Sequence, residues 1–145
     1  MRPRIFHSYR LAIALLAVTT TAGADLEPVE IVGLAYPRLA QWARVAGTVV
    51  VRLTVAPDGS VAQAVAVSGH PLLAEAARQS AARWRFERSE QSPGLDRDAY
   101  LVYRFALEGS CAGRDCRTEF VVELPNFVMV TSEMPSIQSL EGKRQ

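Results

Sequence analysis

The chain has 145 residues, 16 Lys+Arg against 15 Asp+Glu for a net charge of +1, and is 49% hydrophobic. This suits one domain with a modest core. With basic and acidic residues nearly balanced and no clustered positive patch, it carries no footprint for nucleic acid.

Residues 1–24 read as a secretory signal peptide. Arg2, Arg4 and Arg10 precede the apolar run Leu11 to Val18, and Ala22-Gly23-Ala24 supplies the small residues of a cleavage site before Asp25. An apolar run of eight residues falls well short of the ~20 a spanning helix requires, so no membrane span is expected in the mature chain. Removing the leader takes three arginines and no acid, leaving 13 basic against 15 acidic residues. The expected location is the periplasm.

Residues 25–35 form a lead-in, with an extended piece at Val29 to Val32. Tyr36-Pro37 then opens a short helix to Arg44, with Leu39, Trp42 and Ala43 facing inward and Arg38, Gln41 and Arg44 outward. From Gly47 the pattern changes to period two. Val49, Val51, Leu53 and Val55 alternate with Thr48, Arg52 and Thr54, as in a strand with one covered face. Pro57-Asp58-Gly59 breaks the chain into a hairpin, and Val61 to Val67 supplies the second strand.

Ser68-Gly69-His70-Pro71 starts a helix, with proline at a position whose N–H the helix could not use. Leu73, Ala76, Ala77, Ser80, Ala81 and Trp84 fall on one stripe. Glu75, Arg78, Gln79 and Arg83 lie on the other side, spaced for local pairs.

Tyr36-Pro37, Gly47-Thr48-Val49, Pro57-Asp58-Gly59-Ser60-Val61, Ser68-Gly69-His70-Pro71, Leu73, Ala76-Ala77 and Arg83-Trp84-Arg85-Phe86, in that order, resemble the C-terminal domain of the TonB family. The resemblance covers roughly Ile31 to Leu107, and the domain is bounded at 36–107. It implies a non-enzymatic protein-binding fold whose third strand takes an extended segment of an outer-membrane transporter and passes on force from an inner-membrane motor. Full-length members keep a membrane-spanning N-terminus and a proline-rich spacer. Here a removable leader is followed almost at once by the domain, so this chain is not expected to transmit force by itself.

After a polar loop, Glu87 to Asp98, alternation resumes from Ala99 to Leu107 as the third strand, expected beside the first and antiparallel to it. The chain then passes the family's usual end. Residues 108–131 read as a loop closed by Cys111 and Cys116, followed by a fourth strand, Thr118 to Val130, returning antiparallel to the third. Pro125 suits an outer strand. Residues 132–145 are assigned to a polar tail. The expected fold is α+β: a small antiparallel sheet in the order 2-1-3-4, one main helix on one face and a short N-terminal helix.

In an exported protein, Cys111 and Cys116 are most simply a disulfide, with a small ring and a modest entropic gain. A zinc site lacks two further ligands, and a redox pair lacks the C-x-x-C spacing; no metal or cofactor is expected. Ser68 and His70 have no flanking acid to orient an imidazole. Asp58 belongs to the turn, Glu75 and Glu87 read as solvated charges, and Trp84 and Phe86 as core, so no enzyme is expected.

What remains is the sheet margin, to which an extended peptide can add as another strand. The candidate docking edge is Tyr100, Leu101, Val102, Tyr103, Arg104 and Phe105, or Val61, Gln63, Val65 and Val67 of the second strand, with an outer-membrane receptor or other envelope segment as partner. A fourth strand would itself cover the first of these. The alternative is a structural protein, a homodimer through self-paired edges, with no transporter bound.

Overall fold

A computed structural model describes residues 26–87, 94–112 and 116–136. The expected signal peptide and the last residues of the expected tail lie outside them. In chain order the elements are β1 (Pro28–Glu30), α1 (Arg38–Trp42), β2 (Gly47–Val55), β3 (Val61–Ser68), α2 (Pro71–Ala81), β4 (Arg85–Phe86), β5 (Arg97–Ala112), β6 (Thr118–Glu123) and β7 (Phe127–Ser136).

The β2–β3 hairpin forms because its turn residues each satisfy a backbone requirement. Gly59 sits at φ +87° and donates its N–H to the Ala56 carbonyl at 2.9 Å. The Asp58 carboxylate accepts from the Ser60 N–H at 2.9 Å and from its hydroxyl at 2.6 Å. Val49, Val51, Leu53 and Val55 are fully buried, and α2 covers them together with part of β3. His70 caps α2 through Nδ1, which accepts the Leu72 N–H at 3.2 Å, and Pro71 follows at the first helical turn.

Leu73, Ala77, Ser80 and Ala81 form the buried stripe, and Trp84 and Phe86 continue it. The buried Ser80 hydroxyl donates to the Val32 carbonyl at 2.5 Å, the Trp84 indole N–H reaches the same oxygen at 3.2 Å, and the Tyr103 hydroxyl donates to Ser80 at 3.3 Å. One lead-in carbonyl thus ties the N-terminal segment to the helix and, through Ser80, to the sheet. On the outer side Arg78 and Gln79 both bond the Glu75 carboxylate, at 2.6 and 2.8 Å.

The strand in the lead-in is β1, at Pro28–Glu30 rather than the expected Val29 to Val32, paired antiparallel with β4 in a small sheet of its own. The main sheet has five strands in the order β3-β2-β5-β7-β6. β5 pairs antiparallel with β2, as expected for the third strand. Beyond it the expected antiparallel order 2-1-3-4 is replaced by a mixed arrangement. Residues 118–130 are not one strand. Leu124, Pro125 and Asn126 form a turn, and the chain doubles back, so β7 runs parallel to β5 and β6 lies outside it, antiparallel to β7. Pro125 removes a donor at the turn, where none is needed. β7 also runs through Ser136, past residue 131, because Val128, Val130 and Ser132 continue the buried side of the sheet.

The short helix is turned the other way from its expected orientation. Ala40 and Gln41 are buried, whereas Leu39 and Trp42 are 70% and 53% exposed. The Gln41 amide faces β7 and donates to the Ser132 hydroxyl at 2.7 Å, and a satisfied polar pair decides the face over hydrophobicity.

Gly59 and Gly109 both have positive φ, but a Cβ at Gly59 would collide with the Phe86 carbonyl oxygen while one at Gly109 meets nothing within 4 Å. Gly109→Ala should therefore cost only the left-handed penalty of about 1–2 kcal/mol. Gly59→Ala should lower the urea midpoint by clearly more.

Candidate functional site

The backbone groups at the sheet margins form the candidate site, and the hydrogen-bond phase determines which of them face outward. The Val102 N–H donates to Asn126 O at 2.9 Å, so even-numbered residues of β5 face β7 and odd-numbered ones face β2. Through the β2–β5 register, Val49 with Tyr103 and Val51 with Leu101, the odd residues of β2 bond β5 and its even residues bond β3. Arg52 and Thr54 lie opposite Val65 and Gln63, which therefore direct their N–H and C=O inward. The outward groups of β3 belong to Ala64 and Ala66.

Tyr100, Leu101, Val102, Tyr103, Arg104 and Phe105 all lie in β5, which has β2 along one side from Arg97 to Phe105 and β7 along the other from Val102 to Ala112. Val102 to Phe105 are therefore interior rather than marginal, while Tyr100 and Leu101 precede the start of β7 and are paired with β2. Leu101, Tyr103 and Phe105 are buried, and Tyr100 and Arg104 face outward from the opposite side of the sheet. Val61, Gln63, Val65 and Val67 lie in β3, an outer strand with no second strand partner among the described residues. The Gln63 and Val65 side chains share a face with Thr54 and Arg52, away from α2. Ala64 and Ala66, opposite Leu53 and Val51, lie on the helix side. Their small methyls let α2 sit close to this edge.

The far end of β5 is fastened to β7. The disulfide joins Cys111 to Cys116, with the Cα atoms 5.3 Å apart, and the Ser136 hydroxyl donates to the Cys111 carbonyl at 3.0 Å. The buried Ser132 hydroxyl accepts from Gln41 and donates to the Arg117 carbonyl at 3.0 Å, connecting α1, β7 and the start of β6. The sequence reading missed this polar junction, although its signal was present: Val128, Val130 and Ser132 keep the period of two beyond the proline.

Burial pushes the Tyr36 and Tyr103 phenols up to about 12. Hydrogen bonds from Arg78 and then Gln79 hold the exposed Glu75 carboxyl down at about 2. The His70 Nδ1 is occupied in capping α2. Among the described residues no group of three His, Cys, Asp or Glu is placed to hold a metal, and no helix is long and apolar enough to cross a membrane.

The family model for the Gram-negative bacterial TonB protein C-terminal domain matches residues 32–107, more than half of the chain. This chain belongs to the TonB C-terminal domain family. The match begins at Val32, whose carbonyl anchors Ser80 and Trp84, and ends within β5, so the Cys111–Cys116 loop, β6 and β7 are additions to the matched domain. None of the curated proteins compared with it matches.

Ser132→Ala leaves the buried Gln41 amide without its acceptor and should cost about 1–3 kcal/mol. Adding Gln41→Met should recover part of that loss in a double-mutant cycle of urea unfolding. At high pH, phenols with raised pKa values favour the fold fully below pH 10, and that contribution is lost as pH rises through about 12. Thermal melts between these limits should show stability falling with pH, and less steeply in Tyr103→Phe.

Proposed function

We propose that this chain is a non-enzymatic, periplasmic protein-binding module linked to TonB-dependent outer-membrane transport. It takes an extended segment of an outer-membrane receptor, or of another envelope protein, as an added strand on the free margin of β3. The observation that carries the reading is the contrast between two strands of the family-matched region. From Val102 to Phe105 β5 is flanked on both sides, whereas β3 is an outer strand whose Ala64 and Ala66 point their N–H and C=O groups away from β2.

An added strand draws affinity from main-chain hydrogen bonds and selectivity from alternate side chains. On β3 the alternate positions toward the open face are Gln63 and Val65, with Val67 beyond them at a register shift. An extended ligand of alternating small and apolar residues fits this row. The family membership, and the export signal read from residues 1–24, support placement in the envelope.

Proline at position 64 removes one outward donor and leaves the β2 ladder intact. Fluorescence anisotropy with labelled extended segments of outer-membrane receptors should show binding to the exported chain. Ala64→Pro should weaken it by about fivefold or more, the equivalent of one lost backbone hydrogen bond, while Val122→Pro on β6 should leave it unchanged. Binding by neither protein, or equal binding by wild type and Ala64→Pro, would contradict the assignment to β3.

A further inference from the structure

The second outer strand, β6, lies beyond the family-matched region and has a different character. We infer that β6 pairs with β6 of a second copy of this chain, antiparallel about a two-fold axis at Phe120, joining the two sheets into one.

The hydrogen-bond phase of β6 is fixed at its start. The Glu133 N–H donates to Arg117 O at 3.2 Å, and the Arg117 N–H donates to the Glu133 carboxylate at 3.1 Å. Arg117 thus faces β7, and by the period of two so do Glu119, Val121 and Glu123. The N–H and C=O groups of Thr118, Phe120 and Val122 point outward, and none of them has a backbone partner outside the β6–β7 ladder among the described residues.

Natural edges are blunted by charged side chains, lysine above all, and by proline, bulges or inward-pointing charges; the charges of β6, Glu119 and Glu123, are exposed. Residues 118–123, Thr-Glu-Phe-Val-Val-Glu, include no lysine and no proline, and their pairing with β7 is unbroken by any register shift. Val121 is 51% exposed. By contrast, β3 has register shifts at both ends.

A second copy fits this margin in one register. With Phe120 opposite its own copy, Thr118 lies opposite Val122, and every outward group of Thr118, Phe120 and Val122 finds a partner. In the same register Arg117 lies opposite the other copy's Glu123, on the same face of the extended sheet, and symmetry repeats the pair. Centring on Val121 would set Glu119 against Glu123, and centring on Glu119 would set that glutamate against itself. Both alternatives oppose like charges and satisfy fewer outward groups. The Arg117 and Glu119 side chains are 80% and 65% exposed and form a loose pair at 3.9 Å, so Arg117 is accessible to a partner.

Sedimentation equilibrium of the exported chain over a concentration series should show a monomer–dimer equilibrium. Arg117→Glu and Glu123→Arg should each weaken it by about tenfold or more, since each places like charges at two symmetric positions, and the double charge swap should restore it. Val122→Pro, which removes an outward donor, should abolish it, with far-UV circular dichroism reporting an intact fold. A chain that stays monomeric throughout, single reversals without effect, or a swap that fails to restore association would each overturn the inference. Because β3 is not involved, receptor-segment binding should be unaffected by any of these variants.

Discussion

The parallel pairing of β7 along β5, from Val102 opposite Phe127 to Ala112 opposite Ser136, is the contact on which the rest of the molecule depends. A strand has two hydrogen-bonding sides, and β2 already occupies one side of β5. Where β7 fills the other, from Val102 onward, β5 can accept no further strand without displacing part of its own chain, and the outer strands of the sheet are β3 and β6.

Several independent contacts hold β7 in place. Its inner side chains, Val128 and Val130, are fully buried. Ser132 links Gln41 of α1 to the Arg117 carbonyl, and the Cys111–Cys116 bridge ties the end of β5 to the residues just before β6. In the chain-entropy picture a ring this small constrains the unfolded state by about 2 kcal/mol. Removing β7 would expose two buried valines and leave a buried amide unpaired, so the strand behaves as part of the core rather than as a loosely bound tail.

Much of this was legible in the residues. The period of two in Val49 to Val55, the Pro57-Asp58-Gly59 turn, the His70-Pro71 start of α2 and its stripe ending at Trp84 each follow from local chemistry, and all are present. The cysteine pairing followed from spacing and export. The orientation of α1 did not, because Leu39 and Trp42 advertise an apolar face while the actual contact is a hydrogen bond to Ser132, a residue some ninety positions away. The strand order failed for a related reason. Pro125 was compatible both with an outer strand and with a turn between two strands, and only long-range packing of Val128 and Val130 against the core distinguishes the two. Of the two candidate edges, the strand of Tyr100–Phe105 has β7 beside it from Val102 onward, whereas the strand of Val61, Gln63, Val65 and Val67 is an outer one.

Native-state amide exchange reads this backbone arrangement residue by residue. The account predicts strong protection at Val102, Arg104 and Ala106, whose N–H groups face β7, and at Gln63 and Val65, which face β2, alongside rapid exchange at Ala64 and Ala66 in the unliganded chain. Rapid exchange at Arg104 and Ala106, with protection at Ala64 and Ala66, would show that β7 does not fill the side of β5 and that the free margin lies elsewhere.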